Sequence, residues 1–208
     1  MRKVWCTLVL QLIFTAGMIA MCMYVDEIRE WVVKNYWMWI IGLFGAIYTM
    51  CCLFPARNKY PLNLFLLFLF TAFMAYTVSM VCAAYAEIGM ADIVLQAFGI
   101  TILVFLGLSI FSCQTKCNLM PLGMIAFMMI SVMFWWGLWA IIFGWYNTSA
   151  WALIFIIIFC LLIMFDVWRM CNMPVFDEGA WILGAINLYL DVINLFLWIL
   201  RFMALTQN

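Results

Sequence analysis

Residues 186–202 read INLYLDVINLFLWILRF, a run apolar enough for a membrane helix that still holds Asp191 near its middle, between Asn187 and Asn194. At about 3.6 residues per turn, positions 187, 191, 194, 198 and 201 fall on one narrow stripe carrying Asn187, Asp191, Asn194, Trp198 and Arg201. Polar groups inside a bilayer are costly, so they are functional candidates by default. The stripe is expected to face other helices or water rather than lipid.

The rest of the chain is just as apolar. Of 208 residues, 71% are hydrophobic and 9% charged, with a mean hydropathy of +1.20. Soluble domains average about 45–50% apolar and about 25% charged. The composition predicts an all-α integral membrane protein, a single transmembrane domain over residues 1–208 in contact with membrane lipid. Net charge is zero, so nothing argues for nucleic acid. There is no histidine, which removes the commonest metal ligand and the usual general base. Proton sensing would fall to buried carboxylates.

Charged and proline-containing segments recur at the interval a membrane helix needs, roughly 20 residues. They predict seven spans, at about 4–25, 35–54, 62–85, 93–112, 119–143, 150–172 and 178–203. DEIREWVVK reads as a charged loop, PARNKYP as a tight turn bracketed by Pro55 and Pro61, and SCQTKCN as a further connection. Pro174 ends the sixth span and Asp177 is placed to cap the seventh. The apolar run after the basic start is longer than a signal-peptide core, so the first span is expected to stay as an uncleaved helix.

Lys and Arg set the orientation. With the N-terminus cytosolic, that side receives Arg2, Lys3, Arg57, Lys59, Lys116 and Arg169, and the far side Arg29, Lys34 and Arg201. The Asn147-Thr148-Ser149 sequon then falls on the lumenal side. Gly42 and Gly45 in the second span, and Gly99 and Gly107 in the fourth, are expected to allow close helix packing, and Gln11 and Gln96 to hydrogen-bond between helices. The Met- and Trp-rich fifth span reads as lipid-facing or filler. Cys6, Cys22, Cys51, Cys52, Cys82 and Cys160 fall within apolar spans and Cys113, Cys117 and Cys171 near loops. They read as small buried apolar residues, and CQTKC has the wrong spacing for a zinc knuckle. No cofactor is expected.

A second carboxylate, Asp166, lies in the sixth span. With level helix ends the two acids would miss each other by about 10 Å, but a seventh helix of about 39 Å exceeds a hydrocarbon core of about 30 Å and can tilt or protrude. Contact is allowed, not demanded. If they meet, two like charges in low dielectric do not both ionise cheaply, and the pair shares a proton with coupled titration. Protonated, it ties helices together; ionised, it repels and attracts a cation. The alternative is that Asp166 pairs with Arg169 and anchors the helix end.

RKVWCTLVLQLIFTAG resembles the opening helix of the transmembrane Bax inhibitor motif family, and RNKYPLNLFLLFLFT, IVLQAFGITILVFLGLSIF and INLYLDVINLFLWILRF look closest to its Lifeguard and Golgi anti-apoptotic branch. The similarity runs over residues 2–203. It implies a seven-helix bundle with a central helix surrounded by the others, in Golgi or endoplasmic reticulum membranes. It also implies a pH-sensitive calcium leak that lowers store calcium and protects against cell death. The family's proton-sensing aspartates map onto Asp166 and Asp191, which would hold calcium transiently. Its latch arginine maps onto Arg57, and its loop acids onto Asp177 and Glu178. Val167-Trp168 stand where a polar residue usually follows the sixth-span aspartate, and Gln96 where some bacterial members have Glu.

The leading expectation is therefore a pH-gated, calcium-permeable leak channel. A second reading is a non-conducting regulator that contacts calcium-release channels or anti- or pro-apoptotic membrane proteins. An enzyme is not expected: an intramembrane aspartyl protease needs Gly-x-Gly-Asp, and Leu188-Tyr189-Leu190 precede Asp191. A seven-helix receptor is disfavoured by the lack of an Asp-Arg-Tyr after the third span.

Overall fold

The computed structural model describes residues 2–35, 37–115, 118–143, 149–172 and 180–207. These form eight helices and no strand: α1 (Arg2–Tyr24), α2 (Asp26–Lys34), α3 (Met38–Ala56), α4 (Leu62–Glu87), α5 (Ala91–Gln114), α6 (Met120–Phe143), α7 (Ser149–Asn172) and α8 (Ala180–Thr206). Six of them, α1, α3, α4, α5, α7 and α8, are long and apolar enough to cross a membrane. The fifth expected span is α6, whose apolar run over described side chains is Met120–Val132, short of a full crossing. The outer faces suit lipid, with Leu10, Ile13, Phe44, Tyr48, Leu103 and Phe127 all exposed. This is a multi-pass membrane protein. Asn147, Thr148, Pro174, Asp177, Glu178, Lys116 and Cys117 lie outside the described residues.

The chain divides into two compact units, Met1–Val94 with Val175–Tyr189, and Leu95–Pro174 with Leu190–Asn208. Helix α8 contributes its first half to one and its second half to the other. It is also the most buried span: 67% of its apolar stretch is buried, against 22–44% for the other five.

In the first unit, α4 packs against α1 and α3. Gly42 and Gly45 make the α3 contact close: a Cβ at Gly42 would stand 2.7 Å from Thr77 Oγ1, and one at Gly45 2.7 Å from the Phe73 ring. Helix α4 ends in a Schellman motif. Gly89 adopts φ +79°, its N–H bonds Ala86 O at 3.0 Å, and the Met90 N–H bonds Tyr85 O at 3.0 Å.

The segment DEIREWVVK, expected as a loop, is the helix α2. Asp26 and Glu27 stand in its first turn and Lys34 in its last, which complements the helix dipole. Val32 is buried in a cluster with Cys22, Met80 and Ala83. Arg29 fixes the segment in place, reaching Asp26 at 2.7 Å, Glu87 at 3.0 Å and the Met23 carbonyl at 3.0 Å. Tertiary burial and one arginine order a stretch whose charge density reads as loop.

In the second unit, α6 meets α7 where Gly123 lies under the Phe165 ring, at 2.7 Å from an added Cβ. The Met120 N–H bonds Asn118 Oδ1 at 3.0 Å and so caps α6. Gly99 and Gly107 differ from expectation: a Cβ at either meets nothing within 4 Å among the described residues. Both are exposed on α5. Cysteine burial is mixed too. Cys22 and Cys82 are buried, whereas Cys6, Cys51 and Cys113 are exposed.

Candidate functional site

Asp166 sits on α7, six residues before its end, and Asp191 near the middle of α8. Both belong to the second unit, and their carboxyls stand close enough to act directly on each other. A bond between two carboxyl groups needs a proton on at least one of them. Asp191 is buried, at 9% exposure, and its Oδ2 has no hydrogen-bond partner among the described residues. Asp166 is half-buried. Arg169, one turn further along α7, is exposed and close enough to act on Asp166 electrostatically, but makes no ion pair with it among the described residues.

Aromatic packing holds the two helices that carry the acids. The Phe155 ring of α7 stacks on Trp198 of α8, with centroids 4.0 Å apart and planes 5° from parallel. The Arg201 guanidinium lies 5.4 Å from the Trp198 centroid, a cation–π contact. Phe98 of α5 meets Phe196 edge-on. Phe155 precedes Asp166 and Trp198 follows Asp191, so the two contacts run in opposite chain order and the helices are antiparallel here. The stack and the acid contact fix the α7–α8 register at two points.

Apart from Asp191, the polar stripe of α8 is more open than the faces beside it. Asn187 is exposed, and Asn194, Trp198 and Arg201 are half-buried, while Leu188, Tyr189, Leu195 and Leu200 are fully buried. Asn194 turns back on its own helix, donating from Nδ2 to Leu190 O at 2.9 Å. The two asparagines therefore flank the acids along the helix, and Asn194 spends its amide on the backbone. The second unit also buries Ser109 and Ser112 of α5, whose Oγ atoms have no hydrogen-bond partner among the described residues. Arg57, the candidate latch, stands at the end of α3 in the first unit, where its carbonyl accepts from Asn63 Nδ2 at 3.0 Å.

A second polar cluster, not foreseen beyond Gln11, lies in the first unit. Gln11 Nε2 donates to Thr71 Oγ1 at 2.8 Å, and Thr71 in turn donates to Leu67 O. The Thr15 hydroxyl lies 2.8 Å from both Gln11 O and the Tyr189 hydroxyl. Tyr189 is fully buried with its ring edge-on to Phe70. The signal in the sequence was the one-turn spacing of Gln11 and Thr15, which puts two hydrogen-bonding groups on one face of an apolar helix. Gln96, expected to act likewise, is exposed on α5.

Compared with known proteins, residues 1–208 match the family described as Inhibitor of apoptosis-promoting Bax1. The chain belongs to this family. Among its relatives, the Golgi anti-apoptotic protein of Vaccinia virus (strain Lister) is 30% identical, over 100% of this chain and 86% of the viral protein. Protein lifeguard 4 of Mus musculus is 30% identical over 98% of this chain and 83% of its own length. Bax inhibitor 1 of Schizosaccharomyces pombe is 29% identical over 100% of this chain and 77% of its own. Membership of the Bax inhibitor and Lifeguard family accounts for an apolar, multi-pass chain.

Proposed function

We propose that this chain inhibits apoptosis as a pH-sensitive calcium leak of Golgi or endoplasmic reticulum membranes, gated by the Asp166–Asp191 pair. The observation that carries the reading is the approach of two carboxyls, one on α7 and one on α8, inside an apolar protein. Such a contact holds only while a proton is shared. Losing it leaves two carboxylates side by side in low dielectric, where they repel each other and attract a cation. Protonation closes the leak and deprotonation opens it. Calcium takes about six to eight oxygen ligands. Two carboxylates offer four oxygens, which suits a partly hydrated ion in passage better than a resident one.

The same reading takes α6 as a seventh crossing, puts α8 at the centre of the bundle and leaves the N-terminus in the cytosol, where six of the nine basic residues then gather. Arg57 is the candidate latch residue, and Asp177 and Glu178 are the candidate loop acids. The chain works as a channel, not an enzyme, and needs no cofactor beyond its permeant ion. Partners in the death pathway or among calcium-release channels would act on this leak.

The test is calcium efflux from vesicles holding only the purified protein, measured across pH. Efflux that rises with pH in the wild type and loses that dependence in Asp191→Asn supports the gate. Equal pH profiles in the two proteins would overturn it. Silence of the purified protein, with activity restored by a calcium-release channel, would favour a regulator instead.

A further inference from the structure

Cys113 closes the last turn of α5 and Cys171 the last turn of α7, and their sulfurs lie 3.2 Å apart within the second unit. Both are free thiols; Cys113 is exposed and Cys171 half-buried. Two thiols from different helices have met at the helix ends, 58 residues apart in sequence. A disulfide needs the sulfurs at about 2.05 Å. The remaining gap is about 1.2 Å. We propose that Cys113 and Cys171 form a redox-active dithiol that closes to a disulfide and staples the ends of α5 and α7 together.

The exposed Cys113 attacks first. Its thiolate displaces one glutathione from oxidised glutathione, forming a mixed disulfide. The Cys171 thiolate then attacks the Cys113 sulfur and expels the second glutathione. The balance is two protein thiols and one oxidised glutathione giving one protein disulfide and two reduced glutathiones. A pair with one accessible sulfur and a neighbour ready to resolve it is the arrangement that thiol redox sensors use. Disulfides are sparse and mostly transient in reducing compartments, so the staple responds to oxidation instead of being a permanent part of the fold. Its formation does not depend on whether the protein conducts calcium.

The experiment treats the full-length protein in native membranes with oxidised glutathione, blocks remaining thiols and maps peptides without reduction. A Cys113–Cys171 peptide that disappears on adding dithiothreitol is the expected result. Cys117→Ser removes the one nearby competitor in sequence and should leave this peptide intact. Cys113→Ser should abolish it. Oxidation should also raise the melting temperature of the Cys117→Ser protein by several degrees, and leave that of Cys113→Ser unchanged. Both cysteines remaining alkylatable after oxidation would overturn the proposal, as would pairing of either one with Cys117 in the wild type and with nothing in Cys117→Ser.

Discussion

Each compact unit buries polar groups along α8, but the two use different chemistry. In the first, Tyr189 meets Thr15 while Gln11 meets Thr71, a neutral set in which hydroxyls and an amide tie helices together. In the second, Asp191 meets Asp166, and the tie needs a shared proton. Neutral hydrogen bonds of this kind hold at any ordinary pH. A carboxyl pair holds only on one side of its titration. On the proposed reading, the protein places a fixed joint in one unit and a proton-dependent joint in the other, along a single helix.

That contrast breaks most visibly at Asp191. Losing a single shared proton changes an equilibrium by at most about tenfold per pH unit. Calcium efflux by the wild type should climb within that limit as pH rises through the titration, and Asp191→Asn should flatten the profile. Tyr189→Phe should leave the profile's shape unchanged. A profile altered by Tyr189→Phe and spared by Asp191→Asn would reverse the assignment of the two joints.

The next largest effect is steric and lies in the first unit. Gly45→Leu drives a side chain into the Phe73 ring and should cost about 1–3 kcal/mol in a denaturant or thermal assay. Gly99→Leu, with nothing near its Cβ, serves as the matched control and should change stability little. Thr71→Ala leaves Gln11 Nε2 without its partner, beside an Oε1 that already has none among the described residues. A loss of about 1–2 kcal/mol is expected, equal at acidic and neutral pH. Smallest should be Tyr189→Phe, at about 0.6 kcal/mol, because Thr15 keeps its bond to the Gln11 carbonyl. A pH-dependent cost for either of the last two would show that the first unit is not a neutral joint.

The sequence carried six of the seven expected spans, because charges and prolines interrupt the apolar runs at the spacing a bilayer imposes. Pro55, expected to stop α3, instead sits in its final turn, where a missing N–H costs least structure downstream. Helix α2 was not legible: nine residues rich in charge read as loop until the burial of Val32 and the three contacts of Arg29 are known. Periodicity found the stripe holding Asp191, but not its depth relative to Asp166. That depends on where each helix begins and how it leans, which no local pattern encodes. Glycine positions likewise mark a narrow face without saying which neighbour fills it; Gly42 and Gly45 have one, and Gly99 and Gly107 have none among the described residues. Tyr189 carries no signal of its own, since a hydroxyl with a single buried partner leaves no trace in hydropathy.

Helix α2 also bears on how the protein can be handled. Its nine residues resemble the kind of hydrophilic connection where an epitope tag or protease site is usually inserted into a multi-pass protein. Here an insertion would pull Arg29 from Glu87 and from the Met23 carbonyl, and lift Val32 out of its cluster. A tag placed there would report on a damaged protein, and a failed digestion would say nothing about which side of the membrane the segment occupies.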